Sequence, residues 1–226
     1  TPDIFVPGNH EFDFGPDVFR QRMAELKRPM KLAANLRDEA GKPIAGFEDQ
    51  KIVEVGGVKI GILGIAADDS PVKSSPGKLQ FAEGVKTALA SAKVLRDQGA
   101  DFIVAVVHSN RVQDQALFAT GAFDLILSGD DHDLALFFNG RTALVESKEE
   151  GEYVTAIDVA IKTEERDGRK QTTWWPNFRV IDSATVAPDN DVEAKIEEYR
   201  KQLSRELDVE IGKVPTAQDS RKSTVR

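Results

Sequence analysis

A chain of 226 residues with 40% hydrophobic and 30% charged side chains is long enough and apolar enough to bury one well-packed domain. Its net charge of −8 argues against a partner held by a nucleic-acid backbone, and the absence of cysteine excludes disulfides and thiolate metal sites. No apolar stretch is long enough to span a bilayer, and none has the form of a signal peptide.

The first element is the end of a buried strand, Ile4-Phe5-Val6, broken by Pro7-Gly8. Asn9, His10, Glu11 and Asp13 then crowd polar chemistry onto one loop, and Pro16 opens a helix whose Val18, Phe19, Met23 and Leu26 share a face. Residues 30–36 read as a short strand ending at Asn35, and residues 41–50 as a loop. Residues 51–55 and 58–65 form a hairpin around Gly56-Gly57. Residues 68–78, polar with two prolines and three serines, read as a rim loop. Val85, Ala88, Leu89, Ala92 and Leu95 stripe a helix that ends near Gly99. Residues 101–107 are a nearly unbroken apolar strand followed by His108. A helix over 112–120 leads to a strand over 123–128, followed by Gly129-Asp130-Asp131-His132.

The pattern then changes to antiparallel. Residues 134–138 and 142–146 flank Asn139-Gly140, a strong hairpin turn, and a second pair, 153–162 and 171–181, turns at Asp167-Gly168. Asn190 begins a helix with Glu193 as capping-box partner. Val192, Ile196, Tyr199, Leu203 and Leu207 stripe that helix, which suits a packing helix or a coiled-coil segment. α/β units first and antiparallel strands later suit two packed sheets with helices outside.

The chain has three histidines, His10, His108 and His132, and each directly follows an apolar strand. Strand ends of one open sheet converge, which is where α/β folds place ligands. Imidazole with carboxylate and amide oxygens is a donor set for a catalytic divalent metal.

Gly8-Asn9-His10-Glu11 with Asp13-Phe14-Gly15, then His108-Ser109, then Gly129-Asp130-Asp131-His132, resemble the calcineurin-type metallophosphoesterases. Within them the pattern is most similar to the bacterial 5'-nucleotidase and 2',3'-cyclic-nucleotide phosphodiesterase branch. The resemblance implies a four-layer αββα sandwich of two mixed sheets flanked by helices. It assigns residues 1–187 to a catalytic domain, 188–210 to a linker helix, and 211–226 to the start of a C-terminal nucleotidase domain. The family also carries an Asp-x-His and a Gly-Asp motif before its Gly-Asn-His-Glu, and neither is present here. Together with the opening Thr1-Pro2-Asp3, which enters a core strand at once, this reads as an internal, N-terminally incomplete piece of a longer parent, expected to be inactive alone.

By the same resemblance, Asn9, His108 and one residue of the 129–132 motif bind one of two divalent ions, Mn or Zn, and His132 binds the other. His10 acts on the leaving oxygen, and Asp13 orients it; the alternative for Asp13 is a plain helix-end carboxylate. Asp130 departs from the family, which carries His there, so Asp130 is either a replacement ligand or a loop carboxylate beside a weakened site. Asn110 stands where glycine is common. Trp174, Trp175, Phe137 and Phe138 can stack a base, with edge or core packing as the alternative. The implied substrate is a small nucleotide or other phosphoester, not a nucleic-acid polymer, and the implied location is the periplasm or another exported compartment. Two other readings share the fold: hydrolysis of a non-nucleotide ester, and a degenerate scaffold without catalysis.

Overall fold

Side-chain alternation along one strand, β8 (Phe102–Val107), organises the interior. Ile103, Ala105 and Val107 enter one apolar cluster, while Phe102 and Val104 enter another on the opposite face. A strand apolar at every position is what burial on both faces demands. The structure, a computed structural model, describes residues 2–166, 169–210 and 212. The chain divides into two compact units, the second beginning at Ala184.

Around β8 lies a six-stranded mixed sheet. β6 (Val58–Ile65) and β9 (Leu125–Ser128) flank β8 in parallel. β5 (Gln50–Val55) closes one edge as the antiparallel partner of β6, through the expected Gly56-Gly57 turn. β11 (Ala143–Ser147) pairs parallel with β9, and β10 (Leu134–Phe138) closes the other edge antiparallel to β11. One face is covered by α3 (Gly84–Asp97) and α4 (Arg111–Thr120), with Ala88, Ala92, Leu95 and Leu117 in the core as the helical stripe predicts. Asn110 and Gln113 form a capping box that starts α4 abruptly, three residues after β8 ends. The other face is covered by a long hairpin, β12 (Tyr153–Arg166) with β13 (Arg169–Asp182), which packs Ile157, Val159, Ile161, Trp174 and Phe178 onto Phe102 and Leu125.

A second, parallel ladder joins β1 (Ile4–Phe5), β2 (Met30–Leu32) and β4 (Phe47–Glu48). Its core includes Phe12, Phe47, and the Phe19 and Met23 face of α1 (Gly15–Glu25). β3 (Leu36–Arg37) and β7 (Gln80–Phe81) form a short antiparallel pair. The mixed α/β class is therefore observed. Outside the six-stranded sheet, the ladder β1-β2-β4, the pair β3-β7 and the hairpin β12-β13 are separate. The expected loop over 41–50 contains β4: Phe47 is buried and packs on Phe19, and that contact draws a two-residue strand out of a polar stretch. The expected rim loop over 68–78 contains a one-turn helix, α2 (Ser70–Lys73), with Pro71 in its first turn.

The two sheets meet at Gly64. A Cβ there would lie 2.5 Å from both the Cβ and the carbonyl oxygen of Leu32. Because the obstacle includes backbone, it cannot rotate away. Gly64→Ala is expected to destabilise the fold by about 3 kcal/mol through overpacking, read as a fall in the denaturation midpoint. An unchanged midpoint would mean that the two sheets separate freely at this point.

In the second unit, α5 (Asn190–Leu207) carries the predicted apolar stripe. Its cap is Asp189, one residue earlier than expected, whose carboxylate accepts from the backbone N–H groups of Asp191 and Val192. The expected turn at Asp167-Gly168 lies outside the described residues, as does all but residue 212 of the segment 211–226 expected to begin a further domain, of which 212–226 were expected to be poorly ordered.

Candidate active site

The C-terminal ends of β8 and β9 and the loop after β1 carry the three histidines. Pro7-Gly8 turns the chain out of β1, and Asn9 follows buried, at 7% exposure. Its side-chain Oδ1 lies 3.1 Å from Nε2 of His108. That same Nε2 lies 3.2 Å from Oδ1 of Asp130, whose side chain is 10% exposed. Amide oxygen, imidazole nitrogen and carboxylate oxygen thus crowd together from three separate segments.

The loops that carry them are tied from below. Ser109 N–H donates to the carbonyl of Gly129 at 3.0 Å. Buried Asp114, on α4, accepts from the hydroxyls of Ser109 at 2.5 Å and Ser128 at 2.8 Å through one oxygen, which locks the His108 loop to the Asp130 loop. Burial pushes the Asp114 carboxyl above the usual range, against the two serine hydrogen bonds. Asp130 sits at φ 140° and His132 at φ 62°, backbone conformations that non-glycine residues rarely hold. Such strain is tolerated where surrounding structure over-determines it, and it concentrates at functional sites.

His10 is exposed beside the cluster, its Nδ1 2.7 Å from Oδ2 of Asp13. Asp13 Oδ1 accepts from the Ser74 hydroxyl at 2.7 Å. The hydrogen bond to Asp13 raises the pKa of His10, helped by the Asp13 charge; the hydrogen bonds from Ser74 and then His10 lower that of Asp13. Residue 73, next to Ser74, reaches the other side of the site. The Lys73 ammonium lies 2.8 and 3.0 Å from the two oxygens of Asp130, and 3.0 Å from Asp69.

Of the residues expected from sequence, Asn9, His108 and Asp130 come together, and His10 pairs with Asp13. His132 does not join them: it is exposed, with no hydrogen bond or ion pair to the other three among the described residues. Nor do three or more His, Cys, Asp or Glu side chains among the described residues form a group able to hold a metal ion. The donor set of Asn9, His108 and Asp130 nevertheless fits a divalent cation. Around an ion with bonds of about 2.1 Å, neighbouring donors sit roughly 3.0–3.4 Å apart. One imidazole nitrogen with oxygens at 3.1 and 3.2 Å matches that spacing, and a single N–H cannot serve both oxygens well.

Sequence reasoning missed Lys73, Ser74, Asp114 and Ser128. The serine-rich rim was the one signal for Ser74; nothing linked Lys73 to Asp130, 57 positions on. The aromatic candidates fall elsewhere. Trp174 packs edge-on against Phe102 and Phe138 and donates to the Arg141 carbonyl, near the start of β8 and so at the far end of the sheet from His108. Phe137 lies in β10, paired with Leu144 of β11. It lines a cleft of about 820 Å³ with Phe118, Leu134, Asp131 and Glu146, which begins one residue beyond Asp130.

No family model matches the chain. Several known proteins do. An apyrase of Anopheles gambiae is 25% identical over 90% of this chain and 40% of its own length. A probable 5'-nucleotidase of Treponema pallidum is 30% identical over 58% of this chain and 23% of its own. A putative 5'-nucleotidase structure from Staphylococcus aureus superposes with a TM-score of 0.75 at 20% identity, covering all of this chain and 46% of that one. A calcineurin-like phosphoesterase of Bacillus subtilis superposes at 0.66 with 21% identity, over 92% and 72%. The chain spans less than half the length of these curated relatives. By sequence it is a homologue of the 5'-nucleotidases and apyrases, and its fold is that of the calcineurin-like 5'-nucleotidase structures.

Proposed function

We propose that the chain carries part of the catalytic machinery of a metal-dependent hydrolase of nucleotide phosphoesters. The observation that supports it most is the convergence of Asn9 Oδ1, Asp130 Oδ1 and His108 Nε2 within 3.2 Å of that nitrogen, beside the His10–Asp13 pair. Asn9, His108 and Asp130 would hold one divalent ion, Mn or Zn. A second ion, with His132 among its ligands, requires donors beyond those that the structure brings together. A bound ion polarises phosphoryl oxygens and makes water a nucleophile near neutral pH.

The chain's own residues do the rest. Asp13 holds the His10 ring by Nδ1, which leaves Nε2 free to donate a proton to the departing ester oxygen. Asp114, through Ser109 and Ser128, keeps the His108 and Asp130 loops in register. The cleft along α4 and β10 has the volume of a small-molecule site and an apolar wall with two aromatic rings, room for a nucleoside leaving group. No helix of the described residues is long and apolar enough to cross a membrane. An exported location is proposed, since the similar proteins include snake venom 5'-nucleotidases.

The test is hydrolysis of nucleoside 5'-monophosphates and 2',3'-cyclic nucleotides by the longer parent that the sequence leads one to expect, before and after exhaustive chelation. Activity is expected to vanish on chelation and to return with Mn or Zn. Full activity in chelated protein would reject the metal mechanism. Tight metal binding without turnover on any ester would favour a non-catalytic scaffold.

A further inference from the structure

The Lys73–Asp130 pair joins residues 57 positions apart. Lys73 closes the one-turn α2, and Ser74 directly follows it. Yet its ammonium sits on both oxygens of Asp130, the same carboxylate whose Oδ1 lies 3.2 Å from His108 Nε2. Asp130 is the only carboxylate of the proposed donor set, so it supplies the set's only full negative charge. The geometry points to Lys73 as a resident cation that a divalent metal ion must displace from Asp130 before the Asn9, His108 and Asp130 site can fill.

This inference rests on the metal reading above. The electrostatics follow from distance. Two like charges bound to one carboxylate repel each other, and at a partly desolvated site the repulsion is felt more than in water. With the site empty, Lys73 neutralises a side chain that is only 10% exposed, which would otherwise be a buried, uncompensated charge. The displaced lysine is not stranded either. Asp69, four residues earlier on the same turn, already holds Nζ at 3.0 Å, so the exchange breaks one ion pair and keeps the other. With the site empty, burial alone would lower the Lys73 pKa, but the hydrogen bonds to Asp130 and Asp69 outweigh it.

The placement also links the two sides of the site. Lys73 and Ser74 are consecutive, and Ser74 holds Asp13, which holds His10.

The experiment titrates Mn²⁺ into metal-free wild type, Lys73→Met and Lys73→Arg by calorimetry, with thermal melting of each form with and without metal. Lys73→Met removes the competitor and should tighten Mn²⁺ binding by about tenfold or more. Lys73→Arg keeps the charge and should bind as wild type does. In melting, metal-free Lys73→Met should be less stable than wild type and should gain more on adding Mn²⁺. Equal or weaker Mn²⁺ binding by Lys73→Met, with wild type binding normally, would overturn the exchange and leave the metal site standing. No binding by any form would overturn both. Tightening by Lys73→Arg equal to that by Lys73→Met would show that side-chain shape, not charge, is the obstacle, and would also overturn the exchange.

Discussion

His10→Ala is expected to lower turnover by about 10²–10⁴-fold, the usual contribution of a positioned general acid, while leaving Mn²⁺ affinity and the melting temperature unchanged. The stability half follows from exposure. The His10 side chain is 79% exposed and its one hydrogen-bond partner among the described residues is the half-exposed Asp13, so removing it opens no cavity and orphans no buried group. The metal half follows from contacts: Asn9 and Asp130 both lie within reach of His108 Nε2, and the His10 ring is turned to Asp13 instead. Turnover depends on the ring's position, which is set at one remove by Asp13 and at two by Ser74. Asp13→Asn should therefore lose less than His10→Ala, and Ser74→Ala less again, with kcat rather than KM carrying the change in all three. Loss of metal on His10→Ala would make His10 a ligand. Unchanged turnover would remove it from the chemistry.

The parts of this molecule legible in the sequence are those where a local pattern and burial agree. Residues 102–107 could only be a strand buried on both faces, and the stripe from Val85 to Leu95 could only be a helix packed on one side. The clustering of chemistry at strand ends was legible too, because topology alone carries the ends of β8 and β9 to one edge of the sheet. Where the reading fell short, the cause lies outside the local pattern. β4 exists because buried Phe47 meets Phe19, a contact between residues 28 apart. The cap of α5 moved to Asp189 because aspartate and asparagine accept backbone N–H groups about equally well, so sequence cannot choose between neighbours. His132 was expected at the cluster because it follows the same strand as Asp130. At φ 140° for Asp130 and 62° for His132 the loop turns sharply, and two residues suffice to leave the third histidine in solvent. Lys73 and Asp114 act through contacts to Asp130, Ser109 and Ser128 that only the folded chain creates.

Gly8→Ala is expected to cost about 10²-fold in kcat/KM, the scale of a 1 Å misplacement at a reacting centre, and to weaken Mn²⁺ binding at the same time. The reason is space, not backbone freedom. Gly8 sits between Pro7 and Asn9 at the exit of β1, and its backbone N–H donates to Glu11 Oε2 at 2.6 Å. A Cβ there would meet the His108 ring: 2.6 Å from Cε1, 2.8 Å from Nδ1 and 3.0 Å from Nε2. All three distances are below ordinary contact, so either the ring or the turn must move. The ring cannot move without breaking its approach to Asn9 and Asp130, which meet at the very Nε2 that the methyl crowds. The turn cannot move without carrying Asn9 and His10 with it, since both follow directly. Either adjustment separates donors that come from different loops, which distinguishes this substitution from His10→Ala: here metal affinity and turnover should fall together. Calorimetric Mn²⁺ titration beside steady-state kinetics decides it. Wild-type affinity in Gly8→Ala would show that the His108 ring has room to swing aside, and that the glycine serves the turn rather than the metal site.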